Sequence, residues 1–122
     1  MRPAIHIISL AVANLDAAVA FYRDGLKLPT GGIRTGSEDH CLFGLENGLS
    51  LVLYKSETAR AGGGVIISHL ASTREEVIQI LQRALAAGAT QLGDLLDEPW
   101  GTSVNFSDPD HHRWEIIYMP QE

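Results

Sequence analysis

The sequence predicts an α+β fold built from two tandem βαβββ repeats whose curved mixed sheets surround a cavity. Three observations carry this expectation. The order strand, amphipathic helix, strands occurs twice. The spacing is constant: the capping residues Asn14 and Ser72 lie 58 apart (72 − 14), as do the strand ends Val12 and Leu70. Residues 105–118 then read as a closing hairpin around Asp108-Pro109-Asp110, where proline fixes φ and aspartates bond their own backbone. Either repeat alone is too small to bury its sheet face. The repeats span about residues 4–55 and 63–119 of a single domain, 1–122. A plain open α+β sheet with helices on one side fits the same elements.

In order along the chain, residues 5–12 (IHIISLAV) form a strand-length β-branched run. Asn14 is a helix cap, and Leu15, Ala18, Val19, Tyr22 and Leu26 recur at helical spacing to about Gly25. Gly31-Gly32 marks a turn. Residues 40–45 and 49–54 are strands joined by Asn47-Gly48, a strong hairpin turn. Gly62-Gly63-Gly64 is a joint, and residues 65–70 begin the second repeat. Ser72 with Glu75 makes a capping box for a helix over 73–87, lined by Val77, Ile80, Leu81 and Ala84 and ended by Gly88. Strands over 90–96, 102–106 and 113–118 complete it.

At 122 residues the chain is one domain of ordinary globular composition, 45% apolar and 20% charged. The net charge of −6 with scattered Lys and Arg argues against nucleic acid or an anionic membrane as partner. The lone Cys41 excludes an intrachain disulfide and reads as a small buried hydrophobe. The apolar run near the N-terminus is shorter than a membrane span and lacks a cleavage pattern, so a cytoplasmic protein is expected.

The chain resembles the vicinal oxygen chelate superfamily of glyoxalases, extradiol dioxygenases and fosfomycin and bleomycin resistance proteins. The resemblance is carried by LAVANLD at 10–16 leading to AFYRDGL at 20–26, by AAGA at 86–89, and by FSDPD at 106–110 leading to WEI at 114–116. His111 departs from it, standing where the family usually has glycine. Metal-binding members present a histidine early on the first strand of each repeat and a carboxylate on the last. Here those positions fall on Ile7, Val65, about Ser50, and Glu115, of which only Glu115 is a good ligand. The resemblance therefore implies a site without the superfamily's metal, and no cofactor is expected. A one-residue slip would bring His6 inward but match it with Gly64, so the pair still fails.

Glu115 lies midway along an apolar strand and points away from its neighbours Trp114 and Ile116. It is either a buried acid facing the cavity or a solvent-facing residue on a one-sided strand. His69 shares strand parity with Val65 and Ile67, so these three are expected to face the cavity with Ile7 and Ser9. His69 is then a general base, a hydrogen-bond partner or a wall residue. Trp100 is a stacking wall at the cavity mouth, or a plug for the sheet end or a dimer interface; Tyr54 is a weaker wall candidate. His111 and His112 belong to the turn. No Ser-His-Asp set or phosphate loop is visible.

Two function classes follow. One is a glyoxalase/bleomycin resistance-like protein that binds a small organic ligand without metal. The other is an enzyme, metal-independent through His69 and Glu115 or holding a metal in another register. A homodimer is expected because small cavities of this kind are often completed by a second subunit.

Overall fold

The β-branched run at the start of the chain becomes strand β1 (Ile7–Val12), and Asn14 turns the chain into helix α1 (Leu15–Val19), its side chain accepting from the Ala17 amide at 3.0 Å. The computed structural model describes residues 3, 5–36, 39–56 and 65–120. Its contacts divide the chain into two units, residues 1–60 and 61–122. The glycine joint expected at Gly62, Gly63 and Gly64 lies outside the described residues.

In the first unit α1 runs on as a wider, π-helical segment, Ala20–Gly25. It stops where Lys27 adopts a left-handed φ of 63°. The Leu26 and Leu28 amides close onto the Phe21 and Tyr22 carbonyls, each at 3.0 Å. Strands β2 (Thr30–Arg34), β3 (His40–Gly44) and β4 (Ser50–Lys55) follow. The sheet order is β1-β4-β3-β2, with β1 parallel to β4 and the other pairs antiparallel. Asn47 and Gly48, both at positive φ, make the expected β3–β4 turn.

Alternation sends Leu10, Val12, Cys41, Phe43, Leu51 and Leu53 to one face, where Leu15, Ala18, Val19 and Tyr22 bury them. Burial of each large side chain contributes about 1.5–3 kcal/mol. The turn expected at Gly31-Gly32 is corrected: both glycines lie inside β2, where the pairing register shifts between Thr30 and Ile33. Glycine here accommodates a bulge rather than a reversal.

The second unit holds β5 (Ile66–Leu70), α2 (Arg74–Ala86), β6 (Thr90–Gln91), β7 (Leu96–Glu98), β8 (Gly101–Ser107) and β9 (Arg113–Tyr118). Its order β5-β9-β8-β6, with β7 also on β8, repeats the first unit: first strand parallel to last, then antiparallel neighbours. The single strand expected over 90–96 is two. Pairing runs Thr90↔Ser107 and Gln91↔Phe106, then resumes as Leu96↔Ser103 after an interruption containing Gly93 at φ 82°.

The cap of α2 is Thr73, not Ser72. Thr73 Oγ1 accepts from the Glu76 amide at 3.0 Å, and the Ser72 amide donates to Glu76 Oε1 at 3.2 Å. The sequence contains two overlapping boxes, Ser72 with Glu75 and Thr73 with Glu76; Thr73 makes the cap bond of the second, while Glu76 returns its bond to the Ser72 amide, one residue before the cap. Gly88 ends the helix at φ 110° as expected. Val77, Leu81 and Ala84 of α2 and Val104, Phe106, Trp114 and Ile116 of the sheet form the core. In the β8–β9 turn the buried Asp108 Oδ1 accepts from the Asp110 and His112 amides at 2.9 and 2.8 Å. His111 takes φ 70°, the conformation glycine adopts most readily.

Candidate functional site

With Thr73 as the cap the helices are offset by 59 (73 − 14). Although the strands end 58 apart at Val12 and Leu70, the buried Val12 matches the buried Ala71 rather than the exposed Leu70, which changes which side chains are equivalent. The counterpart of Ile7 becomes Ile66 rather than Val65, and that of Ser9 becomes Ser68. Register agrees: Ser9 lies opposite Val52 and Ser68 lies opposite Glu115, so the first-unit partner of Glu115 is Val52 rather than Ser50. Because side chains alternate, one residue of slip moves a whole strand's set to the other face. His69 therefore lies opposite Ile116, and Ile67 opposite Trp114, on the face whose β9 residues enter the core, His69 itself being exposed and Ile67 half-buried. Both leave the face that carries Glu115. Val65 precedes β5 and is exposed.

The open face of the second sheet has a polar row across three strands. Ser68 of β5, Glu115 of β9 and Asn105 of β8 lie side by side. Ser68 Oγ donates to Glu115 Oε1 at 3.0 Å, and Arg113 Nε donates to Asn105 Oδ1 at 3.1 Å. Leu70, Ile117, Ser103 and Leu96 form the next row on that face, and Ile66 flanks Arg113. Ile66, Leu70 and Leu96 are about half exposed or more, at 49%, 64% and 50%. Glu115 is half-buried, so the face combines a fixed carboxylate with an accessible apolar surround. Trp100 is exposed at the tip of the β7–β8 turn.

In the first unit Ile7, Ser9 and Tyr54 do share one face, with Ser50, Val52, Leu42 and His40. On the core side of the second sheet, Arg74 clamps Asp97 through two hydrogen bonds of 2.9 and 2.8 Å, and the Thr102 hydroxyl adds one at 2.7 Å. These bonds, Arg74 first and Thr102 next, hold the Asp97 carboxyl down to about 2. The clamp ties the first turn of α2 to β7; it is structural.

Among the described residues no group of three or more His, Cys, Asp or Glu could hold a metal ion. None of their helices is long and apolar enough to cross a membrane. Residues that sequence reasoning missed are Ile66, Ser68, Asn105 and Arg113. Taking Thr73 as the cap would have found the first two.

A model of the Glyoxalase/Bleomycin resistance protein/Dioxygenase superfamily matches residues 4–116. Among solved structures, a glyoxalase-related enzyme from Fulvimarina pelagi is 25% identical, with TM-score 0.81 over 97% of this chain and 89% of that one. The genomically encoded fosfomycin resistance protein FosX from Listeria monocytogenes is 20% identical, with TM-score 0.80 over 98% and 96%. Protein ATC0852 from Agrobacterium tumefaciens is 23% identical, with TM-score 0.79 over 97% and 98%. No curated protein matches the chain.

Proposed function

Since the chain belongs to the glyoxalase/bleomycin resistance protein/dioxygenase superfamily, we propose that it binds a small organic molecule around Glu115 and does so without the superfamily's divalent metal. The observation that carries this reading is the Ser68–Glu115 hydrogen bond on an open, partly apolar sheet face. Apolar walls with a few convergent polar groups are the usual make-up of a small-molecule site. A variant of the Listeria FosX has been solved with Mn(II) and 1S,2S-dihydroxypropylphosphonic acid. Taken unit by unit, the positions that hold histidine or a carboxylate in metal-binding members carry Ile7 and Val52 in the first unit and Ile66 and Glu115 in the second; the methyl-bearing side chains offer an ion no donor, which supports the metal-free reading.

A thermal-shift screen of small molecules tests this reading, since a ligand that binds only the folded state raises apparent stability. Hits should lose their effect in Glu115→Gln and keep it in His69→Ala. Hits unaffected by Glu115→Gln would reject the site. The likeness to a glyoxalase-related enzyme favours a second reading, turnover with the Glu115 carboxylate as the proton acceptor; product formation from a bound compound, abolished in Glu115→Gln, would establish it. The exposed Ile7 and Leu42 on the open face of the first sheet support a homodimer. A monomeric mass at micromolar concentration would count against that assembly.

A further inference from the structure

We infer that the open face of the second sheet takes an ampholyte, a small molecule carrying a protonated amine and a carboxylate or similar oxyanion a few bonds apart. The inference rests on the small-molecule reading of that face. Arg113 and Glu115 are two residues apart on β9, so their side chains leave the same face about 6.6 Å apart and carry opposite charge. They do not pair. Arg113 is turned toward Asn105 on β8, and Glu115 is held by Ser68 on β5. Neutral partners on the two flanking strands thus keep the charges separate.

Elsewhere in the same unit an opposite-charge pair does close: Arg74 and Asp97 bind each other through two bonds. Among the described residues the terminal guanidinium nitrogens of Arg113 donate, and Oε2 of Glu115 accepts, no further hydrogen bond, so both groups keep unused hydrogen-bonding capacity. Among the described strand residues the other charge on this face, Glu98, sits opposite Gly101, about 13 Å along the sheet from the Glu115 row. A simple anion would meet Arg113 but be repelled by Glu115 and by the chain's net charge of −6. A simple cation would satisfy Glu115 and be opposed by Arg113. A ligand with both groups satisfies both, with charge-assisted hydrogen bonds at each end.

Three probes of matched length separate the cases: γ-aminobutyrate, butyrate and butylamine, titrated into the full-length protein and followed by amide chemical shifts. The zwitterion should bind at least about tenfold more tightly than either half, as one charged hydrogen bond contributes roughly that factor. Its shifts should centre on Ser68, Asn105, Arg113 and Glu115. Arg113→Gln should reduce γ-aminobutyrate to the affinity of butylamine, and Glu115→Gln should reduce it to that of butyrate. Absence of γ-aminobutyrate binding, or equal affinity for the three probes, overturns the inference. Butylamine binding as well as the zwitterion, lost in Glu115→Gln but not in Arg113→Gln, also overturns it while leaving the small-molecule reading intact. Screening hits indifferent to Glu115→Gln sink that reading itself.

Discussion

Replacing Gly101 by alanine should be among the most damaging single-methyl changes in this protein. Gly101 opens β8 at φ 149°, and a Cβ built there would run into the Tyr118 carbonyl oxygen on β9. The obstacle is backbone on the neighbouring strand, so no rotamer change relieves it. A non-glycine residue held in that region costs about 1–3 kcal/mol. Moving β8 off β9 at the Thr102–Tyr118 pair would sacrifice at least one backbone hydrogen bond, about 1 kcal/mol. The expected loss is about 2–4 kcal/mol. For a chain of this length each kcal/mol lowers Tm by roughly 3–5 °C, giving a fall of about 6–20 °C. Gly44→Ala is the control, since nothing lies within 4 Å of its Cβ. Thermal unfolding followed by circular dichroism measures both. A fall below about 3 °C for Gly101→Ala would refute the steric argument, and with it the close β8–β9 approach that positions Glu115 beside Asn105.

The left-handed residues predict changes of the opposite sign. Lys27→Gly and His111→Gly should each stabilise by about 0.5–1 kcal/mol, because relief of left-handed strain exceeds the added freedom of the unfolded chain; denaturant midpoints check this. Asp108→Ala should cost about 1–3 kcal/mol by the same measurement, since it strips the buried acceptor from the half-buried Asp110 and His112 amides. Asp97 should titrate near 2 by carbon NMR, against an ordinary value of 3.8. A folded-state value below the unfolded one means its contribution is fully present above about 4 and is lost as pH falls toward 2. Arg74→Met should return the titration toward the ordinary range.

What the sequence made legible were elements with local chemical signatures. Asn14 caps as read, Asn47-Gly48 turns β3 into β4, and the strand over residues 113–118 is found at the same bounds. The π-helical widening after Val19 left no such mark, since it is a packing adjustment. Gly31-Gly32 was misleading because glycine serves bulges as readily as turns. The interruption between β6 and β7 is likewise set by pairing with β8 rather than by a local motif. For the candidate site one ambiguity decided the rest. Ser72 and Thr73 are equally good caps on paper, yet choosing between them flips β5. Glu115 stands on the open face under either choice, whereas His69 and Ile67 exchange places with Ser68 and Ile66. The partners Asn105 and Arg113 depend on cross-strand register, which one chain read alone does not display.

Metal-free binding at Glu115 is tested by a calorimetric titration of the best screening hit into wild-type protein and Glu115→Gln, each with and without a strong chelator. Binding that persists unchanged with chelator and weakens about ten- to a hundredfold in Glu115→Gln is the predicted result. Binding that the chelator abolishes, with stoichiometric zinc, nickel, manganese or iron in the untreated wild type, would contradict it.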